Sequence, residues 1–264
     1  MSEILRLLVS LWIMVVLVRS ARNAWARRDL LALVWRGINL RVIAKAFALL
    51  VATLATASVL LQVPLLQYGL GDLVNFQGNA VFTPLEQAAG ALGPAPAVGP
   101  DWALIVLATV FLGALLLLLP WLAFIEEEVF RAGLESQDGK GQIYQALRFG
   151  LVHLIMLVPL AAALAIAVAG YGYGRIYLRA LRQCQPELAP MAAVLAFRPT
   201  RRSRQASADQ WSLADPGTLV TTVELRVQRC QATAVVAAAS AHTAFNATVL
   251  TLVWIAIVLP AFQG

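Results

Sequence analysis

At 264 residues, with 60% hydrophobic and 13% charged side chains and a mean hydropathy of +0.76, the chain has the composition of a polytopic membrane protein with no room for a large extramembrane domain. A formal net charge of +6 and a pI near 9.9 do not point to nucleic acid as a partner. The basic residues cluster beside apolar runs, where positive-inside topology accounts for them.

The first apolar run, residues 4–18, lacks a small-x-small cleavage site and is followed at once by arginines, so it is expected to be a retained membrane segment, either a tilted span or an in-plane helix. Residues 19–45 hold seven basic side chains against one acid, Asp29, interleaved with Trp25 and Trp35. A helix on an anionic membrane surface is one reading; a cytoplasmic charge anchor is the reading preferred here. Residues 46–66 are long enough to span a core of about 30 Å at about 1.5 Å per residue. Residues 67–101 contain no Lys or Arg and three acids, and end in Gly-Pro-rich loop chemistry. Basic before the span and acidic after it puts residues 19–45 inside and 67–101 outside.

Residues 102–124 bring the chain back, with Pro120 a potential kink, and end on Glu126, Glu127, Glu128 and Arg131. Ionisable groups at membrane depth cost several kcal/mol unless paired, neutralised or wetted, which makes this cluster a functional candidate. Glu127 and Arg131 stand four apart and can pair, and Glu126, about 100° round the helix, is left to face a cavity. The run of three glutamates leaves a choice of register, and counting back from Arg131 favours Glu126 over Glu128. Residues 131–148 are expected to be a short polar connection with a turn at Asp138-Gly139-Lys140-Gly141. Phe149 opens the next apolar run and puts His153 at the depth of the glutamates.

Topology strains beyond that point, because a single crossing would place Arg175, Arg179 and Arg182 outside. Either the stretch 149–181 breaks near Pro159 and returns, the preferred version, or it crosses once and residues 188–197 form a short re-entrant piece. Residues 198–217, rich in Arg, Ser, Gln and Asp, are expected to be a mobile loop, residues 219–229 a helical approach, and residues 232–262 the last span. His242 and Asn246 share a face of that span. Cys184 and Cys230 lie far apart, with no spacing that implies a disulfide framework or zinc site. The expected fold is an all-α polytopic transmembrane helical bundle with at least one broken or re-entrant helix. It divides into N-terminal membrane segments (1–101) and a helical core that carries the candidate polar residues (102–264).

Three strings in order, Glu126-Glu127-x-x-x-Arg131, Phe149-x-x-x-His153 and His242-x-x-x-Asn246, each touching an apolar segment, resemble the CPBP family of intramembrane proteases, which includes the Rce1-type CAAX prenyl endopeptidases. The resemblance implies that Glu126 and His153 activate a water while His242 and Asn246 donate to the oxyanion. Glu127, Arg131 and Phe149 would support the site, the first two as an ion pair and Phe149 as pocket wall. The implied activity is endoproteolysis of membrane-anchored or lipidated peptides in an inner or plasma membrane, with the site opening toward the cytoplasm. The implied partners are that substrate and the lipid bilayer. No cofactor is required on this reading; zinc held by Glu126, His153 and His242 is the alternative, although no HExxH helix is present. The rival class is a non-catalytic scaffold or transport component using the same polar residues.

Overall fold

In a computed structural model, residues 2–73, 79–92, 99–131, 133–184 and 216–263 are described. They form an all-helical bundle: α1 (Ser2–Ala26), α2 (Arg28–Gly37), α3 (Leu40–Leu60), the short α4 (Leu70–Leu73), α5 (Thr83–Ala91), α6 (Trp102–Arg131), α7 (Gly139–Val152), α8 (Leu160–Cys184) and α9 (Pro216–Gln263). Five helices, α1, α3, α6, α8 and α9, are long and apolar enough to cross a membrane, so this is an integral membrane protein. The first apolar run is therefore a helix of spanning length, and residues 219–229 belong to α9. The proposed loop at 198–217 and the re-entrant piece at 188–197 fall outside the described residues, apart from Pro216 and Gly217, which open α9.

The polar connection expected at 131–148 is largely helical, because α7 starts at Gly139. The Asp138 side chain caps it by accepting from Gly141 N at 2.8 Å. The buried positions Gln145, Ala146, Phe149 and Gly150 form one face, so Lys140 and Arg148 sit on the other side without cost to the helix. Fourteen residues span only about 21 Å, short of the apolar thickness. A 3-10 turn, His153–Met156, carries the chain further and then stops. Leu157, with φ 63°, is the one non-glycine residue with positive φ among the described residues, and Pro159 follows it.

That break is held from outside the helices. Pro159 forms an isolated bridge with Gly69, Leu160 N donates to Tyr68 O at 2.9 Å, and Ala80 N donates to Met156 O at 3.0 Å. From there α8 runs back antiparallel to α7, so its arginines return to the end at which α6 finishes. The break near Pro159 and the return are observed, but not as two short helices, because α8 runs for 25 residues and is long and apolar enough to cross a membrane. Small residues allow the close return: a Cβ on Gly150 would collide with Ala163 O and with Ala167, and Ala161, Ala163, Ala165, Ala167 and Ala169 are all buried.

One end of the bundle gathers Val34 of α2, Leu134, Tyr177 and Leu181 of α8, and Cys230, Ala234 and Ala238 of α9 into a single apolar cluster. Here Cys184 and Cys230 are joined in a disulfide with Cα atoms 5.7 Å apart, a pairing that their spacing in the sequence does not imply. Antiparallel packing of α8 and α9 makes neighbours of residues that sequence distance separates. At the opposite end α9 meets the start of α6 through Asp101 N donating to Ala261 O and an edge-on contact of Trp102 with Phe262.

Candidate active site

The site is assembled from four helices. Residues Phe130, Phe149, Tyr173, Ala241 and Phe245 lie in one buried cluster, so α6, α7, α8 and α9 converge on it. Two glycines of α8 make room: a Cβ at Gly170 would strike the Phe149 ring, and one at Gly174 would crowd Leu134.

Glu127 and Arg131 are buried, at 0% and 1% side-chain exposure, and pair as the four-residue spacing predicts. Arg131 Nε donates to Glu127 Oε2 at 2.6 Å and Nη2 to Oε1 at 3.4 Å. The third donor comes from α9, with His242 Nδ1 3.0 Å from Glu127 Oε1. A carboxylate so engaged only accepts, so the imidazole hydrogen sits on Nδ1 and neutral His242 turns a lone pair at Nε2 inward. Of the three glutamates, Glu127 is buried, Glu126 half-buried and Glu128 exposed.

His153 reaches the same tautomer by another route. As α7 tightens into the 3-10 turn, the backbone N–H of His153 turns to Gly150 O and Leu151 O. The Phe149 carbonyl is thereby freed, and the His153 ring takes it up, with Nδ1 2.8 Å from that oxygen. Its Nε2 is then the lone-pair nitrogen.

Both Nε2 atoms face one oxygen. Glu126 Oε2 lies 4.0 Å from Nε2 of His153 and 3.9 Å from Nε2 of His242. The Glu126 side chain is 32% exposed, yet Oε2 itself is buried and has no hydrogen-bond partner. These distances are too long for direct bonds and match two groups sharing one water at about 2.8 Å from each. They fit zinc poorly. With bonds of about 2.0–2.1 Å in tetrahedral geometry, ligand atoms stand roughly 3.3 Å apart, so the three side chains would have to close in. Among the described residues no group of three His, Cys, Asp or Glu side chains is spaced to hold a metal.

Phe149 packs against both imidazoles, meeting His153 at 5.0 Å and His242 at 5.7 Å between ring centroids, with the Arg131 guanidinium 5.3 Å from its own centroid. The structure thus brings together Glu126, Glu127, Arg131, Phe149, His153 and His242. Asn246 stands one turn beyond His242, only partly buried, and makes no side-chain hydrogen bond among the described residues.

Sequence reasoning missed Tyr173, whose ring stacks on His242 at 4.6 Å and 18°. Its only signal is the run Gly170-Tyr171-Gly172-Tyr173-Gly174, in which glycines at alternate positions of a helix mark close approach by neighbours.

Compared with known proteins, the chain matches no family model, no curated protein and no solved structure.

Proposed function

We propose that this protein is an intramembrane endopeptidase that hydrolyses membrane-anchored or lipidated peptides with a glutamate-activated water, the chemistry implied by the resemblance to the CPBP family. The observation that carries the reading is the buried, unpartnered Oε2 of Glu126, 4.0 and 3.9 Å from two imidazole nitrogens. A water seated there gives one hydrogen to Glu126 and the other to the Nε2 lone pair of His153, and His242 holds its oxygen when, as imidazolium, it donates from Nε2. As Glu126 takes that proton, the hydroxide oxygen bonds to the substrate carbonyl carbon and the carbonyl becomes an oxyanion. Collapse breaks the C–N bond, and the proton on Glu126 passes to the leaving amine.

His242 cannot donate to the oxyanion in its neutral form, because its hydrogen is committed to Glu127. It becomes a donor at Nε2 only as imidazolium, with Glu127 as the counter-charge. Asn246 has uncommitted amide hydrogens and completes the donor pair that the resemblance implies. The excess of basic residues over acids at residues 19–45 supports a site opening toward the cytoplasm, whereas the Cys184–Cys230 disulfide at the same end speaks for an oxidising compartment, and labelling from either side of the membrane decides between them.

The test is cleavage of a membrane-anchored peptide library by the purified full chain, parent against Glu126→Gln. Turnover by the parent and its abolition in Glu126→Gln, with thermal unfolding near parental, supports the reading. Activity persisting in Glu126→Gln removes the proposed base and returns the chain to the scaffold or transport class.

A further inference from the structure

His242 must present Nε2 to Glu126, and its bond to Glu127 does not guarantee that. A hydrogen bond at Nδ1 pins one atom of the ring and leaves the imidazole free to rock about that contact, which moves Nε2 most. What blocks the rocking is contact on the ring face. Tyr173 lies almost parallel to His242, with centroids 4.6 Å apart and planes 18° apart, and is itself 1% exposed. Phe149 and Phe245 meet the Tyr173 ring edge-on at 6.2 and 6.1 Å, so the stacking surface is itself fixed. Phe149 also closes on His242 at 5.7 Å and 72°.

The Tyr173 hydroxyl takes no part in this. It is buried and has no hydrogen-bond partner among the described residues, so nothing ties it to His242 or to either glutamate. Whatever Tyr173 does for the imidazole, it does through its ring.

We propose that Tyr173 is a positioning residue of the site, its stacked ring holding His242 in the orientation that presents Nε2 to Glu126. The inference rests on the hydrolytic reading for its consequence on rate, but the orientation of His242 can be observed without turnover. A phenyl ring should serve as well as a phenol, and an aliphatic side chain of similar bulk should not.

The experiment uses the full chain in lipid nanodiscs with imidazole-15N histidine. The chain holds only two histidines, so His153 serves as the internal reference. In Tyr173→Phe, the His242 signals should retain the Nδ1–H pattern and kcat should stay within about threefold of the parent. In Tyr173→Leu, the Nδ1–H held by Glu127 should persist while the His242 Nε2 resonance shifts and broadens as the ring rocks, with His153 unchanged. On the same variant kcat should fall about 10- to 100-fold with KM altered less than about twofold, as expected when a reacting group is displaced by about 1 Å. If Tyr173→Leu does not fold, Tyr173→Met carries the same comparison. A parental His242 pattern in the aliphatic variant overturns the inference. Loss of the pattern in Tyr173→Phe overturns it as well, because the hydroxyl would then be the anchor. Failure of the parent to cleave any membrane-anchored peptide removes the hydrolytic reading alone, and the histidine spectra still decide the role of Tyr173.

Discussion

Gly150 of α7 faces Ala163 of α8 with no space for a Cβ between them, and the atom in the way is a backbone carbonyl. A backbone oxygen cannot rotate aside as a flexible side chain can, so a substituent at Gly150 must push the two helices apart. Gly150→Ala is expected to lower stability by about 1–3 kcal/mol, and Gly150→Val by more. Thermal unfolding in detergent checks this. His153 lies three residues further along, so turnover should fall with the hairpin, and an unchanged melting temperature would contradict the close packing described.

The buried triplet of Glu127, Arg131 and His242 predicts an asymmetry between its members. Arg131→Ala leaves a carboxylate at 0% exposure with one donor in place of three, and breaking one side of such a pair costs about 3–5 kcal/mol. Expression and melting temperature should both fall. Glu127→Gln leaves the Arg131 cation, 1% exposed, without its counter-charge and should lower the melting temperature as well; it differs in also releasing the His242 hydrogen from Nδ1, which removes turnover directly.

His153→Ala should behave in the opposite way to Arg131→Ala. The ring bonds only a helix-end carbonyl that water can satisfy, so stability is expected to change by less than about 1 kcal/mol. Turnover should disappear. A stable variant that cleaves at the parental rate would remove His153 from the mechanism.

Metal removal gives a further discrimination. Separations of 3.9 and 4.0 Å suit a shared water, so exhaustive treatment with a chelator is expected to leave turnover at the parental level. Loss of activity that zinc restores would mean that the three side chains close in on an ion.

The cysteine pair yields a prediction that needs no substrate. Thiol-specific reagents should modify neither Cys184 nor Cys230 in the unreduced, denatured chain and both after reduction. With a sequence separation of 46 between the partners, loop-closure entropy sets the stabilisation at up to about 4 kcal/mol, which a comparison of thermal unfolding with and without reductant measures.

The parts of this structure legible in the sequence are those governed by local period or by the cost of charge in an apolar setting. The four-residue step from Glu127 to Arg131 predicted a pair, and a helix delivers it. The arginines at 175, 179 and 182 favoured a break near Pro159 over a single crossing, and the chain turns there. Illegible were relations made only by packing. Nothing in the residues around Tyr173 says that its ring meets His242, and nothing around Cys184 names Cys230. The polar start of α7 concealed a helix because its buried face is only four residues wide, Gln145, Ala146, Phe149 and Gly150. The bond from His242 to Glu127 likewise joins residues 115 apart and alters what the histidine can donate.

The bond between Cys184 and Cys230 also changes what cutting the chain means. It makes the stretch from 184 to 230 a covalent ring, so a single cleavage anywhere within it opens the ring without separating the protein into two molecules. Helix α9, which carries His242 and Asn246, stays tethered to the helices that carry the rest of the site. A nicked chain would therefore migrate as intact until reduced, and the residues of the candidate site would stay assembled after the backbone between them had been cut.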